Sequence, residues 1–278
     1  MTARSRRFTG PELEGVALHA LCRGDPTRQT VVLLHGGAAN VHWWEPLAEA
    51  LATRMHVVAL DFRGHGDSDF PDTLLPGAFS DDLEALLADL DAPEPILIGH
   101  SLGGRVALEH AARAGGVRAL VLLDVARGAA LPLHEATRRA LRIRRSYRSE
   151  QEAVARFRFL PPALAVTEER RRAIAERSVF ELPDGRFAFK FDPRWLGVPS
   201  RPLPPLSRVA CPTLLLRGSE STLLSEEGAK AFAAEIPQTE LGIVTGAGHH
   251  VHLDRPDEVL AALEDFLARV CQAGNPPR

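Results

Sequence analysis

The sequence predicts an α/β protein: a mostly parallel sheet flanked by helices, carrying one inserted segment. Three observations lead there. Short apolar, β-branched runs bounded by turn residues recur between longer amphipathic stretches, the alternation expected when parallel strands are joined by crossover helices. The length, 278 residues, suits a large core plus one insertion. Hydrophobic residues at 45% and charged residues at 25% supply an ordinary globular core and give no case for disorder.

The predicted strands cover residues 16–22, 30–34, 56–60, 96–99, 119–123, 213–216 and 241–244, each a short apolar run closed by glycine or a polar turn. Between them, residues 45–53, 79–90, 102–114, 225–235 and 257–270 have helical periodicity, the last entered through Pro256 at an early helical position. Residues 127–201 break the alternation. They contain arginine-rich, helix-like stretches at 138–148 and 167–177, an aromatic run at Phe187, Phe189 and Phe191, and a proline cluster at 199–205 that marks the return to the core. The domain reading is therefore a core of residues 1–126 and 202–278, with residues 127–201 as a lid. From Arg127 to Ser200 there are 16 basic and nine acidic residues, net +7, which leaves −10 for the remainder. A basic lid on an acidic body favours anionic substrates; solvated helix faces account for the same counts.

A formal charge of −3 provides no electrostatic footprint for nucleic acid or an anionic membrane. Cys22, Cys211 and Cys271 are odd in number and far apart, so neither a disulfide framework nor a zinc knuckle is indicated, and reduced thiols in a cytoplasm fit best. The basic N-terminus is not followed by an apolar run of signal-peptide length, and no stretch approaches a transmembrane span. The abundance of arginine, alanine, glycine and proline suggests a GC-rich bacterial source. Oligomeric state leaves no mark in these patterns.

Three segments carry chemistry. Gly99-His100-Ser101-Leu102-Gly103 lies directly after the apolar run at 95–98 and directly before a helical pattern. A strand turning sharply into a helix forces its middle residue into strained backbone geometry, and glycines two positions either side remove the side chains that would collide. Ser101 is thus the candidate nucleophile, with His100 beside it as a candidate pocket residue. His35-Gly36-Gly37-Ala38 follows the strand at 30–34. Alone it reads as a tight turn; beside Ser101 it supplies the Gly37 N–H which, with that of Leu102, can stabilise the oxyanion of an acyl transfer. Gly246-Ala247-Gly248-His249 follows the last strand. A serine hydroxyl needs a base near neutral pKa, and His249 is the candidate. His249, His250, His252 and Asp254 also have the composition of a metal site, but no matching ligands appear elsewhere, so no metal and no organic cofactor is expected.

Together, HGGAAN at 35–40, DFRGHGDSD at 61–69, GHSLGG at 99–104 and GAGH at 246–249 resemble the α/β-hydrolase superfamily in order and spacing, over nearly the whole chain outside the lid. The resemblance implies an eight-stranded, mostly parallel sheet, an active site at its carboxyl edge and a helical cap over the pocket. It gives Arg63, Gly64 and Gly66 a structural rather than a catalytic role. Serine at the nucleophile position disfavours the dehalogenase and epoxide-hydrolase branches, which use aspartate there. The family's acid usually lies just past the strand at 213–216, where this chain reads Ser221 and Thr222 and has only Glu220 as a carboxylate. Some relatives place it one strand earlier, where this chain has Asp124. Asp124 is favoured, because a carboxylate at the mouth of a buried strand must be paired and an imidazole N–H would pair it; Glu220 is the alternative.

The expected activity is hydrolysis of a carboxylic ester or related acyl bond in a small-molecule substrate. Carbon-carbon bond hydrolysis, thioester hydrolysis and perhydrolysis run on the same residues, and a hydrolase-like ligand-binding protein with little turnover is the rival from another class. Phe187, Phe189, Phe191 and Trp195 are candidates to line the acyl or alcohol pocket, or equally to form a lid strand packed on the core.

Overall fold

The computed structural model of the chain describes residues 2–126 and 143–273. Among the described residues, eleven strands form two sheets. The main sheet holds β1 (Arg4–Phe8), β2 (Leu18–Arg23), β3 (Thr30–Leu34), β4 (His56–Asp61), β5 (Ile96–His100), β6 (Ala119–Leu123), β10 (Thr213–Gly218) and β11 (Thr239–Val244), in the order β1-β2-β4-β3-β5-β6-β10-β11. β2 runs antiparallel to both β1 and β4, and every other neighbour is parallel. This is the expected eight-stranded, mostly parallel sheet.

Period-two alternation divides the strands between two cores. In β3, Val32 and Leu34 pack beneath α2 (Ala78–Leu90) and α3 (Leu102–Arg113), while Val31 and Leu33 face α1 (Glu45–Leu51) and the C-terminal helix (Pro256–Ala273). In β6, Leu120 and Leu122 join the first core, and Ala119, Val121 and Leu123 the second. All five β6 residues are buried, as expected of a central strand covered on both faces. In the C-terminal helix, Val259, Leu263, Phe266 and Leu267 form one apolar stripe.

β1 is absent from the sequence-based expectation, and its composition explains why. Arg4-Ser5-Arg6-Arg7-Phe8 has no apolar alternation and is largely exposed. It is a strand because β2 offers an edge, and Arg6 and Arg7 fasten it through ion pairs to Asp89 and Asp69.

Between β6 and β10 the described chain forms β7 (Ser146–Tyr147), α4 (Glu150–Arg156), α5 (Glu168–Arg177), β8 (Val179–Glu181) and β9 (Phe187–Phe189), the three strands making a separate antiparallel sheet in the order β7-β9-β8. The expectation of a helical insertion is thus modified: the aromatic run at 187–189 is a strand. The helix-like stretch at 138–148 lies outside the described residues up to 142, and Ser146–Tyr147 within it is extended. α5 begins one residue into its predicted range because Thr167 caps it, accepting from the Arg170 N–H. The insertion has its own core, in which Phe157, Phe159, Ile174 and Val179 close on Trp43 and Leu253 of the main body.

α3 lies unusually close to the sheet. A Cβ on Gly103 would stand 2.1 Å from the Leu34 carbonyl oxygen, and one on Gly99 would stand 2.4 Å from the Gly104 Cα. Both clashes are with backbone, which side-chain rotation cannot relieve. Gly103→Ala is therefore expected to lower stability by about 1–3 kcal/mol, read as a fall in Tm; an unchanged Tm would show that the helix can be moved off the sheet without cost.

Candidate active site

Ser101 joins β5 to α3 at φ 49° and ψ −112°, left-handed backbone that costs a non-glycine residue of order 1–3 kcal/mol. The turn is held from both sides: the Ser101 N–H donates to the Leu123 carbonyl at 3.2 Å, and the Ser101 carbonyl accepts from the Arg105 N–H at 3.0 Å. Leu102, as the first helical residue, has no intrahelical acceptor for its N–H. The N–H groups of Leu102 and Gly37 make no hydrogen bond among the described residues. A Cβ on Gly37 would lie 2.0 Å from the Trp195 ring, so the indole requires glycine there.

His249 follows β11 on the Gly246–Gly248 turn, and its Nδ1 lies 2.7 Å from Asp124 Oδ2. Asp124 is fully buried, with φ 49°. Its Oδ1 accepts from the Gly218 N–H at 3.2 Å and its Oδ2 from the Ser221 hydroxyl at 2.6 Å. These donors satisfy a carboxylate that would otherwise be costly to bury. Glu220 does not reach the imidazole. It is exposed and accepts from the neighbouring Ser219 hydroxyl at 3.1 Å. Ser221 was noted in the sequence only as a position lacking the usual acid; its role as a donor to Asp124 has no sequence signal, because it depends on β6 and β10 being neighbours. No hydrogen bond joins Ser101 to His249 among the described residues, but both line one cavity.

That cavity, about 320 Å³, lies over Ser101 between the sheet and the insertion. Gly36, Gly37, His100, Ser101 and His249 form its floor, and Phe189, Phe191 and Trp195 part of its wall. Of the sequence-predicted residues, Gly37, His100, Ser101, Phe189, Phe191, Trp195 and His249 line the cavity; Asp124 reaches it only through His249, Leu102 follows Ser101 without lining it, Phe187 packs on the insertion's core and Glu220 is exposed. Trp43, Phe157 and the guanidinium-bearing residues Arg145, Arg156 and Arg158 also line it without having been individually foreseen. A wider, more open depression of about 1160 Å³ lies at the opposite end of the parallel strands. Its charges are engaged with one another, as in Arg6–Asp89 and Arg118–Glu94, and parallel sheets bind ligands at the carboxyl ends of their strands.

Behind His249 stand three further buried imidazoles. The His100 ring lies 4.6 Å from that of His249 and 4.7 Å from that of His252, and its Nε2–H donates to the His249 carbonyl at 3.0 Å. Burial first, and His249 second, hold His100 well below the ordinary imidazole range. The same causes lower His250 and push His252 down to about 3. His250 Nε2–H donates to the Pro161 carbonyl at 2.9 Å. Asp254 tightens the same junction: Oδ2 accepts from the Gly248 N–H at 2.9 Å, and Oδ1 from the N–H groups of Leu164 and Ala165 at 2.7 and 2.9 Å. One buried carboxylate therefore joins the loop of His249 to the insertion.

His249, His250, His252 and Asp254 do not form a metal-ligand group among the described residues. The group that does is His19, Asp61 and Asp67. Its donors are already engaged: Asp61 Oδ2 pairs with His19 Nδ1 at 2.7 Å and accepts from the Asp67 N–H, Asp61 Oδ1 accepts from the Val41 N–H, and the Asp67 carboxylate pairs with Lys190. It reads as a brace beneath the 61–69 turn, consistent with the structural role expected there.

Residues 31–262 match the family model described as the alpha/beta hydrolase family. Over 264 residues the chain is 28% identical to the sn-1-specific diacylglycerol lipase of Mus musculus, covering 89% of this chain and 84% of that protein. Over 255 residues it is 30% identical to the pimeloyl-(acyl-carrier protein) methyl ester esterase of Xanthomonas campestris, covering 86% and 94%. Among solved structures, that of E-2-(acetamidomethylene)succinate hydrolase superposes with a TM-score of 0.78 at 26% identity, covering 96% of this chain and 100% of that one.

The neutral imidazoles have a consequence for stability. His252 titrates near 3 when folded and near 6.5 when unfolded, so between these values only the unfolded chain takes up its proton. Its contribution is fully present above pH 6.5 and is lost progressively as pH falls towards 3. The Tm of the wild type is expected to fall over that window, and His252→Leu to flatten the slope; parallel Tm–pH curves would contradict the assignment.

Proposed function

We infer, from the premise that this chain belongs to the alpha/beta hydrolase family, that it is a serine hydrolase cleaving a carboxylic ester or related acyl bond through an acyl-enzyme. The observation that carries this reading is the alignment of Ser101, on its strained turn over the cavity, with His249 on the same cavity and Asp124 on the far side of the imidazole at 2.7 Å. The relatives named above, a lipase, an esterase and a hydrolase, support the same class of reaction.

In this reading His249 Nε2 takes the Ser101 hydroxyl proton as Oγ attacks the carbonyl carbon. The unpartnered N–H groups of Gly37 and Leu102 receive the resulting oxyanion. The tetrahedral intermediate collapses, the C–O bond breaks, and the imidazolium gives its proton to the departing alcohol. Water then repeats the sequence on the acyl-enzyme, so that ester and water become acid and alcohol. Asp124 holds the proton on Nδ1, leaving Nε2 as the base, and stabilises the imidazolium. The insertion, whose described part is residues 143–201, acts as the cap over the pocket. No metal or organic cofactor enters any step.

A fluorophosphonate probe should label the wild type at Ser101, with multiple turnover on a para-nitrophenyl ester. Ser101→Ala should abolish labelling and reduce turnover by several orders of magnitude while the fold is kept. Turnover at the wild-type rate in folded Ser101→Ala would remove the reading, and binding of the probe ester without turnover by the wild type would favour the ligand-binding alternative. For the acid, Asp124→Asn should lower turnover by roughly 10²-fold or more and Glu220→Gln by less than about 10-fold; the reverse ranking would move the acid to Glu220.

A further inference from the structure

We propose that the cavity over Ser101 accepts an ester whose end remote from the scissile bond carries an ionised acid group, a carboxylate or a phosphate. The inference rests on the serine-hydrolase reading and adds a substrate class to it.

Its basis is the sign and state of the charges on the cavity wall. Arg145, Arg156 and Arg158 line the cavity, and no Asp or Glu does so among the described residues. The guanidiniums of Arg145 and Arg156 have no hydrogen-bond or ion-pair partner among the described residues. Arg158 spends Nη1 on the carbonyls of Ala155 and Phe157, at 2.8 and 2.7 Å, and the rest of its guanidinium has no acceptor among the described residues. Elsewhere on the insertion Arg171 pairs with Glu168, Arg172 with Glu176 and Arg194 with Asp192, while Arg186 bonds to Ser146. What sets Arg145, Arg156 and Arg158 apart is their place: they line the cavity that holds Ser101, with no acidic side chain lining it among the described residues.

Arg145 and Arg156 are also electrostatically coupled to one shared wall residue. Burial raises the Tyr147 phenol; the two guanidiniums offset part of that rise and Glu152 adds to it. Tyr147 lines the same cavity, so both charges act on its space. Cations around a concave wall add their potentials and attract an anion more strongly than the same charges on a flat surface. A guanidinium presents a planar fork that matches the oxygens of either a carboxylate or a phosphate. The arginines are exposed members of the wall, and much of the rest is apolar, with Phe157, Phe189, Phe191 and Trp43. The cavity therefore fits a molecule with a reactive carbonyl at the floor, an apolar spacer and an anionic end at the rim. All three arginines are exposed, so each contact is weak, and the preference they generate is of the order of tenfold rather than thousandfold.

The test uses three para-nitrophenyl esters of equal spacer length: the hexanoate, the adipic acid monoester, and the analogue ending in a phosphate monoester. On the wild type at low ionic strength, kcat/KM for at least one anionic ester should exceed that for the hexanoate by about tenfold or more, chiefly through KM, and added salt should compress the ratio. The better anionic ester identifies which acid group is recognised. In Arg145→Gln/Arg156→Gln the anionic-to-neutral ratio should fall to within about threefold of unity. Equal kcat/KM for the three esters on the wild type, or a ratio unchanged in the double variant, overturns the proposal while leaving the hydrolase reading intact. Absence of turnover on all three esters by folded wild type overturns both.

Discussion

The left-handed backbone of Ser101 is sustained by a contact far less local than the serine itself, the near-touching of α3 and the edge of β3 at Gly103. With a side chain at either Gly99 or Gly103 the helix would have to stand further off, and the turn would relax. β5 is buried over its whole length, so the strand cannot shift to relieve the strain. The hydroxyl and the positive end of α3, where the Leu102 N–H has no acceptor among the described residues, consequently meet at one turn. The strain at Ser101 is maintained by the packing of the entire sheet rather than by any side chain in the site.

The loops above the sheet are secured in a common way. Each is too short and too irregular to satisfy its own backbone groups, and a buried carboxylate does it instead. Asp124 takes the Gly218 N–H and the Ser221 hydroxyl along with His249. Asp61 takes the N–H groups of Val41 and Asp67; burial alone would raise its pKa, but the hydrogen bond from His19 and its other partners hold it below the usual carboxylate range. Asp254 takes three N–H groups and thereby ties the His249 loop to the insertion. Every one of these acids is buried and accepts from several donors, the condition under which a buried carboxylate is tolerated.

The imidazoles follow the complementary logic. His100, His250 and His252 are crowded around His249, and burial together with mutual repulsion keeps them neutral. A neutral surround leaves the floor beside the His249–Asp124 hydrogen bond without competing positive charge. The arginines at the rim then supply positive charge at the other end of an apolar chamber, so the site is polarised along its length.

Much of this arrangement was legible in the residues alone. The buried strands at 30–34 and 119–123 match β3 and β6 residue for residue, because a strand covered on both faces must be continuously apolar. Ser101 and His249 stood out because glycines are required where backbone turns tightly beside a strand. Asp124 could be favoured over Glu220 because a carboxylate ending a buried strand demands a partner. Other features carried no such mark. β1 is a strand only because β2 presents an open edge, and its own residues alternate no apolar face. Ser221 and Asp254 act through residues about 90 positions or more away, and Phe187 was separated from Phe189 and Phe191 only when the small sheet was folded against the body. Local propensity and burial pattern belong to a segment and can be read from it; which charges remain unpaired, and which space they face, is a property of neighbours that only the tertiary structure brings together.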